Sequence, residues 1–390
     1  MKICIVAHLN DLSGANRSLL DLSGALVDQR QSVTVVIPRQ GELENALIEK
    51  GINYKVIYSG TWAGVKGKEK KWKKIYKQIV NFFAEYKFYN YIVSEGFDIV
   101  HYNSIVYGVG ARLLKKNGKP YVWHLREFPE ELNLEFYNKR LVYDVVGNST
   151  LMFGISKATY NVYSKVFDEA RLKVIYNGLT FPSSHLNNER NFSFPEKIKL
   201  VIVGAIYPGK GQLEAVRAVE YLYNHGMDNI NLKVVGQVVD NQYMEEIEDF
   251  INVHSIRNII EFCGYQSDVT DIRKSCDIAL VCSKSEAFGR VTIEAMFNKQ
   301  IVIGSNIGGT LELIEDGVNG FLYKQGDFMD LVEKIIYVIQ NKKLSKQIVE
   351  NAYSTAITKF SITETAAKVI DAYKTVNVKN NRERGLNDGY

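Results

Sequence analysis

The sequence predicts an α/β protein of two domains, each a parallel sheet wound with helices. Three observations carry this. Apolar runs at residues 2–8, 32–38 and 54–58 alternate with helical patterns, the β-α-β-α-β order of a Rossmann-like half. A chain of 390 residues is long for a single core and divides naturally into two. Between residues 180 and 195 the composition turns polar, with Pro182, Ser183, Ser184, Asn187, Asn188 and Pro195, and a new apolar run begins at Ile198. The expected division is therefore a first domain over 1–180, a linker over 181–196 and a second domain over 197–360.

Composition narrows the class. The four cysteines, Cys4, Cys263, Cys276 and Cys282, lie in or beside apolar runs without paired metal-ligand spacing, as buried thiols in a reducing cytoplasm would. The opening run Met1-Lys2-Ile3-Cys4-Ile5-Val6 is too short for a signal peptide and well patterned for a first strand. No apolar run is long enough to span a membrane. The net charge of +4 is concentrated: Lys66, Lys68, Lys70, Lys71, Lys73, Lys74 and Lys77 accompany one acid, Glu69, a local +6 that leaves −2 elsewhere. A nucleic-acid enzyme would spread positive charge over a whole face, so no nucleic-acid partner is expected.

Along the first domain, the strand at 2–8 turns through a loop containing Gly14 into a helix with Leu19, Leu20, Leu22 and Leu26 at helical spacing. Gly14 permits close backbone approach, and the amides after it suit phosphate or sugar oxygens. The lysine segment leads into a basic amphipathic helix, with Trp72, Ile75, Tyr76, Ile79, Phe83 and Tyr86 three and four residues apart. Either this stripe packs on the sheet and the lysines are a solvated face, or Lys70, Lys71, Trp72, Lys73 and Lys74 meet anionic lipid headgroups. Residues 98–103 read as a strand with His101 and Asn103 at its loop end. Another run, 121–128, carries His124 at a strand end with Arg126 and Glu127 just beyond, a place for donor and proton chemistry or for a satisfied structural histidine. The strand-like run 172–178 ends in Asn177-Gly178.

In the second domain the loop Gly204-Ala205-Ile206-Tyr207-Pro208-Gly209-Lys210-Gly211 precedes a helix and suits a diphosphate, amides and a compact ammonium sharing its charge. It lacks the P-loop pattern. Asp327 and Asp330 have the wrong spacing for an Asp-x-Asp metal site, and no metal is expected. The stretch from Ser283 to Glu294 joins a buried strand to a helix, with Glu286, Phe288 and Gly289 in the loop and Glu294 in the helix, seven residues lying between the two glutamates. A hydrolase acid/base pair sits roughly 5–9.5 Å apart. Eight helical positions rise about 12 Å, so two contacts on one extended ligand fit better.

This Glu-x7-Glu block resembles that of retaining GT-B glycosyltransferases, and the chain resembles glycosyltransferase family 4. The resemblance extends to the first-loop glycine, the His-x-Arg-Glu run, the Asn-Gly segment and the lysine loop. It implies a nucleotide-sugar donor, UDP-linked by expectation, in the second domain and an acceptor on the first, across a cleft. It implies that Glu286 orients the donor sugar, Glu294 grips the ribose, Lys210 and the amides around Phe288 and Gly289 meet the diphosphate, and Tyr265 contacts the base. His124 lies by the transferred sugar, Gly14 faces the donor, and Arg126, Glu127 and Asn177 line the cleft. A helix over 361–378 returns to the first domain, followed by a polar tail over 379–390. The family's arginine near the first glycine is missing, with Ala205 and Ile206 in its neighbourhood, which leaves Arg290 or Lys284 to compensate. Basic patches in related enzymes suggest a lipid-linked acceptor for a capsule-like polysaccharide at the inner face of the plasma membrane. A GT-B sugar-nucleotide epimerase and a non-catalytic transferase-like partner are the alternatives. An NAD oxidoreductase would need more glycines in the first loop and an acid after the second strand, which ends at Pro38.

Overall fold

The computed structural model describes residues 1–67, 70–128, 133–181 and 196–387, with side chains as far as 376. Lys68, Glu69, the linker positions 182–195 and the last residues, 388–390, lie outside the described residues. The chain divides into two compact units, Met1–Thr180 with Ile362–Tyr390, and Phe181–Ser361.

In chain order the first unit contains β1 (Lys2–Val6), α1 (Gly14–Asp28), β2 (Ser32–Ile37), α2 (Glu42–Glu49), β3 (Asn53–Val56), β4 (Ala63–Val65), α3 (Lys71–Glu95), β5 (Ile99–Tyr102), α4 (Ala111–Lys116), β6 (Tyr121–Leu125), β7 (Leu134–Phe136), α5 (Lys139–Gly147), β8 (Leu151–Gly154), α6 (Lys157–Tyr163) and β9 (Leu172–Val174). Seven of these strands form one sheet in the order β3-β2-β1-β5-β6-β8-β9, with every neighbour parallel. Strands buried on both faces need apolar residues at successive positions. Ile3 and Ile5 enter the core on one face, with α1 and α2, while Cys4 and Val6 enter the core on the other, with α3 and α4.

The second unit contains β10 (Ile198–Val203), α7 (Gln212–Asn224), β11 (Ile230–Val235), α8 (Asn241–Val253), β12 (Ile260–Gly264), α9 (Thr270–Lys274), β13 (Ile278–Val281), α10 (Arg290–Phe297), β14 (Ile301–Ser305), α11 (Gly308–Leu313), β15 (Phe321–Tyr323), α12 (Phe328–Gln340) and α13 (Lys342–Lys359). Its six-stranded parallel sheet runs β12-β11-β10-β13-β14-β15. Both sheets thus reverse winding beside their first strand, between β1 and β5 and between β10 and β13. Open α/β sheets bind ligands at the carboxyl ends of the strands flanking such a switch point.

The structure differs from the sequence reading in four places. The strand expected at 54–58 is β3, Asn53–Val56. The three-residue strands β4 and β7 form an antiparallel ribbon with no patterning in the sequence, because partners about seventy positions apart define it. The amphipathic helix α3 does not pack its aromatic stripe on the sheet. Only Ala84, Phe88 and Ile92 are buried, whereas Trp72, Ile75, Tyr76, Ile79, Phe82 and Phe83 are each more than half exposed. Two of its lysines turn toward the ribbon, Lys74 pairing with Glu135 at 2.5 Å and Lys77 donating to the Tyr137 hydroxyl at 3.0 Å, whereas Lys71 and Lys73 stay exposed. Finally, α14 (Ile362–Asn387), part of the first unit, remains helical through most of the segment expected to be a polar tail. Ala366, Val369 and Tyr373 are its buried face against the β1 side of the core.

Candidate functional site

Three loops of the second unit converge on Glu286. The loop after β10 ends in a short turn, Pro208–Lys210, before Gly211 opens α7. Gly211 has φ +68°, and a Cβ there would lie 2.1 Å from the Cys282 carbonyl, so only glycine lets this loop approach the end of β13. The Lys284 amide donates to the Gly209 carbonyl at 2.9 Å and ties the two loops together. From β14, Gly308 and Gly309 close the third side. The Gly309 amide donates to the Glu286 carbonyl at 2.6 Å, and a Cβ on Gly308 would stand 2.4 Å from that oxygen.

The Glu286 carboxylate accepts from the Lys210 ammonium at 2.6 Å and from the Ser283 hydroxyl at 3.2 Å. Burial works against the ammonium, but the Glu286 carboxylate outweighs it and holds Lys210 above the ordinary lysine range. The result is a fixed cation and a fixed carboxylate at the switch point, beside the N-terminus of α10, where Gly289 adopts φ +99°. This arrangement can receive a diphosphate on Lys210 and the helix amides while the carboxylate meets hydroxyls.

The other expected donor contacts are distributed around it. Glu294 lies in α10 with one oxygen taken by Arg273 at 3.1 Å and the other 3.8 Å from Arg290. Arg273 itself is 2% exposed. The sequence reading did not single it out, since an arginine in a short helix carries no signal of what it will face. Tyr265 is exposed just beyond Gly264 and offers a ring for stacking. Phe288 is 3% exposed and packs edge-on against Phe360, so its side chain anchors the loop and does not line a ligand surface. Lys284 is exposed, and Arg290 turns toward Glu294. Among the described residues no group of His, Cys, Asp and Glu could hold a metal ion.

In the first unit the structure joins His124, Arg126, Glu127 and Asn177 in one buried network. Arg126 donates to Asn103 Oδ1 at 2.9 Å and to Asn177 Oδ1 at 2.6 Å, and Ser104 donates to Glu127 at 2.5 Å. Burial raises the Glu127 carboxyl, against the hydrogen bond from Ser104 and the charge of Arg126. His124 is 1% exposed and faces Phe153 and His101, and His101 in turn packs against Tyr373 of α14. Arginine only donates, so the contact from Arg126 Nη2 to His124 Nδ1 at 3.4 Å makes that nitrogen an acceptor. His101 Nε2 then donates to the same atom at 2.8 Å, and the Tyr373 hydroxyl donates to His101 Nδ1. This chain leaves the His124 proton on Nε2, a buried donor with no hydrogen-bond acceptor. Burial, then Arg126, lowers His101 to about 3, and burial, then Arg126 and His101, holds His124 well below the ordinary value. Gly14 is exposed at the first turn of α1, with open space where a side chain would stand. His8, at the end of β1, was not singled out in the sequence; it is 8% exposed and its Nδ1 has no partner.

Comparison with known proteins places the chain. Residues 12–180 match the model of Glycosyltransferase Family 4 and residues 185–355 that of Glycosyl transferases group 1. An uncharacterised glycosyltransferase of Methanocaldococcus jannaschii is 30% identical over 67% of this chain and 71% of its own length. The capsular polysaccharide biosynthesis glycosyltransferase CapM of Staphylococcus aureus is 27% identical over 47% of this chain and 49% of its own. Among solved structures, Anabaena HepE in complex with UDP superposes with a TM-score of 0.76 at 21% identity, over 96% of this chain and 100% of that one. With its two parallel sheets and the match to each half, the chain belongs to the family 4 glycosyltransferases of GT-B fold.

Proposed function

We propose that this glycosyltransferase moves a sugar from a nucleotide donor, UDP-linked by expectation, to a saccharide acceptor with retention of configuration and without a metal. The observation that carries the reading is the Lys210–Glu286 pair at 2.6 Å, held by three loops at the switch point of the second sheet. Glycosyl transfer needs the departing diphosphate neutralised and an oxocarbenium-like centre sheltered. Lys210 and the amides opening α10 answer the first need. Glu286 orients the donor sugar, Glu294 takes the ribose with the oxygen not bound to Arg273, and Tyr265 stacks on the base. In the first unit His124 offers its Nε2–H to a sugar oxygen, with Arg126 and His101 holding its tautomer. The capsule-related relative and a HepE structure solved with UDP support this donor and product class.

The experiment is a thermal-shift and hydrolysis screen of the purified protein against UDP-, GDP-, ADP- and dTDP-sugars with a chelator present. One donor is expected to raise the melting temperature and to release its sugar slowly, first as the α-anomer if configuration is retained from an α-linked donor. Indifference to every donor, or loss of turnover on chelation, defeats the reading.

The acceptor is proposed to be lipid-linked, for a capsule-like surface polysaccharide, with the protein held peripherally at the inner face of the plasma membrane. The exposed aromatic face of α3 beside Lys70, Lys71 and Lys73 supports this, each lysine near an anionic surface contributing about 1 kcal/mol. Lys74 contributes less because Glu135 already engages it. Among the described residues no helix is long and apolar enough to cross a membrane. Neutralising Lys70, Lys71, Lys73 and Lys74 together is expected to abolish most binding to phosphatidylserine vesicles in a sedimentation assay, and unchanged binding rules the contact out.

A further inference from the structure

Arg273 lies in the five-residue helix α9 and is 2% exposed, an unfavourable place for a group that keeps its charge at every working pH. Burial lowers it from the ordinary arginine value, opposed first by the charge of Glu294. The guanidinium has two partners. Nη2 donates to Glu294 Oε2 at 3.1 Å and Nη1 to Gln300 Oε1 at 3.4 Å, whereas Nε is buried with no hydrogen-bond acceptor. Gln300 is fully buried in its turn, and its amide is held by donating to the Cys276 carbonyl at 3.3 Å. Apolar residues of similar volume generally serve a core as well as a buried ion pair or better. Stability therefore does not account for a buried arginine with an orphaned nitrogen.

What the arrangement does is fix one carboxylate. The Glu294 side chain is 26% exposed, so it reaches solvent from a guanidinium set beneath it. Oε2 is taken, while Oε1 stands 3.8 Å from Arg290 Nε and accepts no hydrogen bond among the described residues. One carboxylate oxygen has two lone pairs and can accept from two adjacent hydroxyls. The cis-diol of a ribose offers such a pair, and a 2′-deoxyribose offers a single hydroxyl. A glutamate on a free stem has to order its rotamers when the diol arrives, whereas one pinned by a clamped, planar guanidinium is ordered beforehand.

We infer that Arg273 is a positioning residue for Glu294, and that the pinned carboxylate makes the site select a ribonucleotide over its 2′-deoxy counterpart. The inference rests on the reading of Glu294 as the ribose contact. Its own content is that the selection is set by a buried side chain that touches no part of the ligand.

The test is calorimetric titration of the full chain with UDP and 2′-deoxy-UDP, or the matching pair for whichever base the donor screen selects. The proteins are wild type, Arg273→Met, Glu294→Gln and the double variant. Methionine fills the volume of the arginine stem without its charge. Wild type is expected to prefer UDP by about tenfold. Arg273→Met is expected to cut that preference to about twofold, chiefly by weakening UDP, and its loss in donor hydrolysis is expected to fall on KM and not on kcat. Glu294→Gln is expected to lose the preference to the same extent, and the double variant no further, because the arginine acts through the glutamate. Stability and selectivity are expected to part company. Glu294→Gln strands a buried charge and melts below wild type, whereas the double variant recovers melting temperature and does not recover the preference. Should Arg273→Met lose its cooperative melt, Arg273→Lys takes its place. Its shorter stem and single point of donation cannot hold Glu294 and Gln300 together, and the preference is expected to fall about threefold.

A folded Arg273→Met that keeps the wild-type preference or weakens both nucleotides alike overturns the inference. So does an undiminished preference in Arg273→Lys, or a further loss in the double variant. Donor hydrolysis is measured on the same preparations. A wild type that turns over a donor yet binds both nucleotides alike defeats the inference alone, whereas selection through Arg273 in a protein inert to every donor defeats the transferase reading alone.

Discussion

Glu286→Gln is expected to lower turnover by about a hundred- to a thousandfold, with little change in KM for the donor. Glutamine has the shape of glutamate, so the Gly309 amide still reaches the residue 286 carbonyl and the loop keeps its path. Its amide can accept from both Ser283 and Lys210, the two groups that hold the carboxylate at 3.2 Å and 2.6 Å. What disappears is the negative charge. A residue that merely braced the loop would tolerate the change, whereas one that orients a sugar against a developing positive centre would not. Lys210 also loses its counter-ion. Both side chains retain some exposure, so the cost in stability is only about 1–2 kcal/mol. Steady-state kinetics with the donor identified by the screen decide the matter, and full activity in the variant removes Glu286 from the chemistry.

Acidification from pH 7 to pH 5 is expected to destabilise the first unit sharply. Burial holds His8 at about 4 and His101 at about 3, against an ordinary value of 6.5, and shifts His124 in the same direction. Below pH 6.5 the unfolded chain takes up protons that these folded imidazoles refuse, so stability present above that value is lost as pH falls. Each of His8 and His101 then costs about 1.4 kcal/mol per pH unit, or about 4 kcal/mol together by pH 5. That is a large share of the ~5–15 kcal/mol by which domains are stable. Glu127, raised by burial, opposes the trend as it protonates in the folded state above its ordinary 4.5. Urea unfolding followed at several pH values reads the slope, and His101→Asn is expected to flatten it by about one proton's worth. A profile flat from pH 7 to 5 shows that these histidines do not stay neutral.

Much of the site in the second unit could be read in advance because its chemistry is local. The loop glycines, Lys210 and the spacing of Glu286 from Glu294 are short-range patterns, and strand-loop-helix junctions follow from apolar runs meeting helical periodicity. The same holds for the parallel strands, whose burial on both faces writes continuous apolar segments into the chain. The partner of Glu294 was not legible, since nothing near Arg273 in sequence announces it.

The first unit shows the limit more sharply. Periodicity established that α3 is amphipathic, but not that Lys74 would pair with Glu135 of the ribbon while Trp72 and Phe83 stay exposed, because β4 and β7 exist only as each other's partners. Likewise the His-x-Arg-Glu run identified His124 and Arg126 as chemically loaded. Only the folded sheet brought Arg126 and His101 to His124 Nδ1 and so determined which nitrogen of His124 carries the proton, the Tyr373 hydroxyl of α14 completing the chain at His101. Residue type and spacing determined which groups are present and which helices and strands carry them. Which of those groups meet, and which are left without a partner, depends on contacts between segments far apart in the chain, and these exist only once the sheets have assembled.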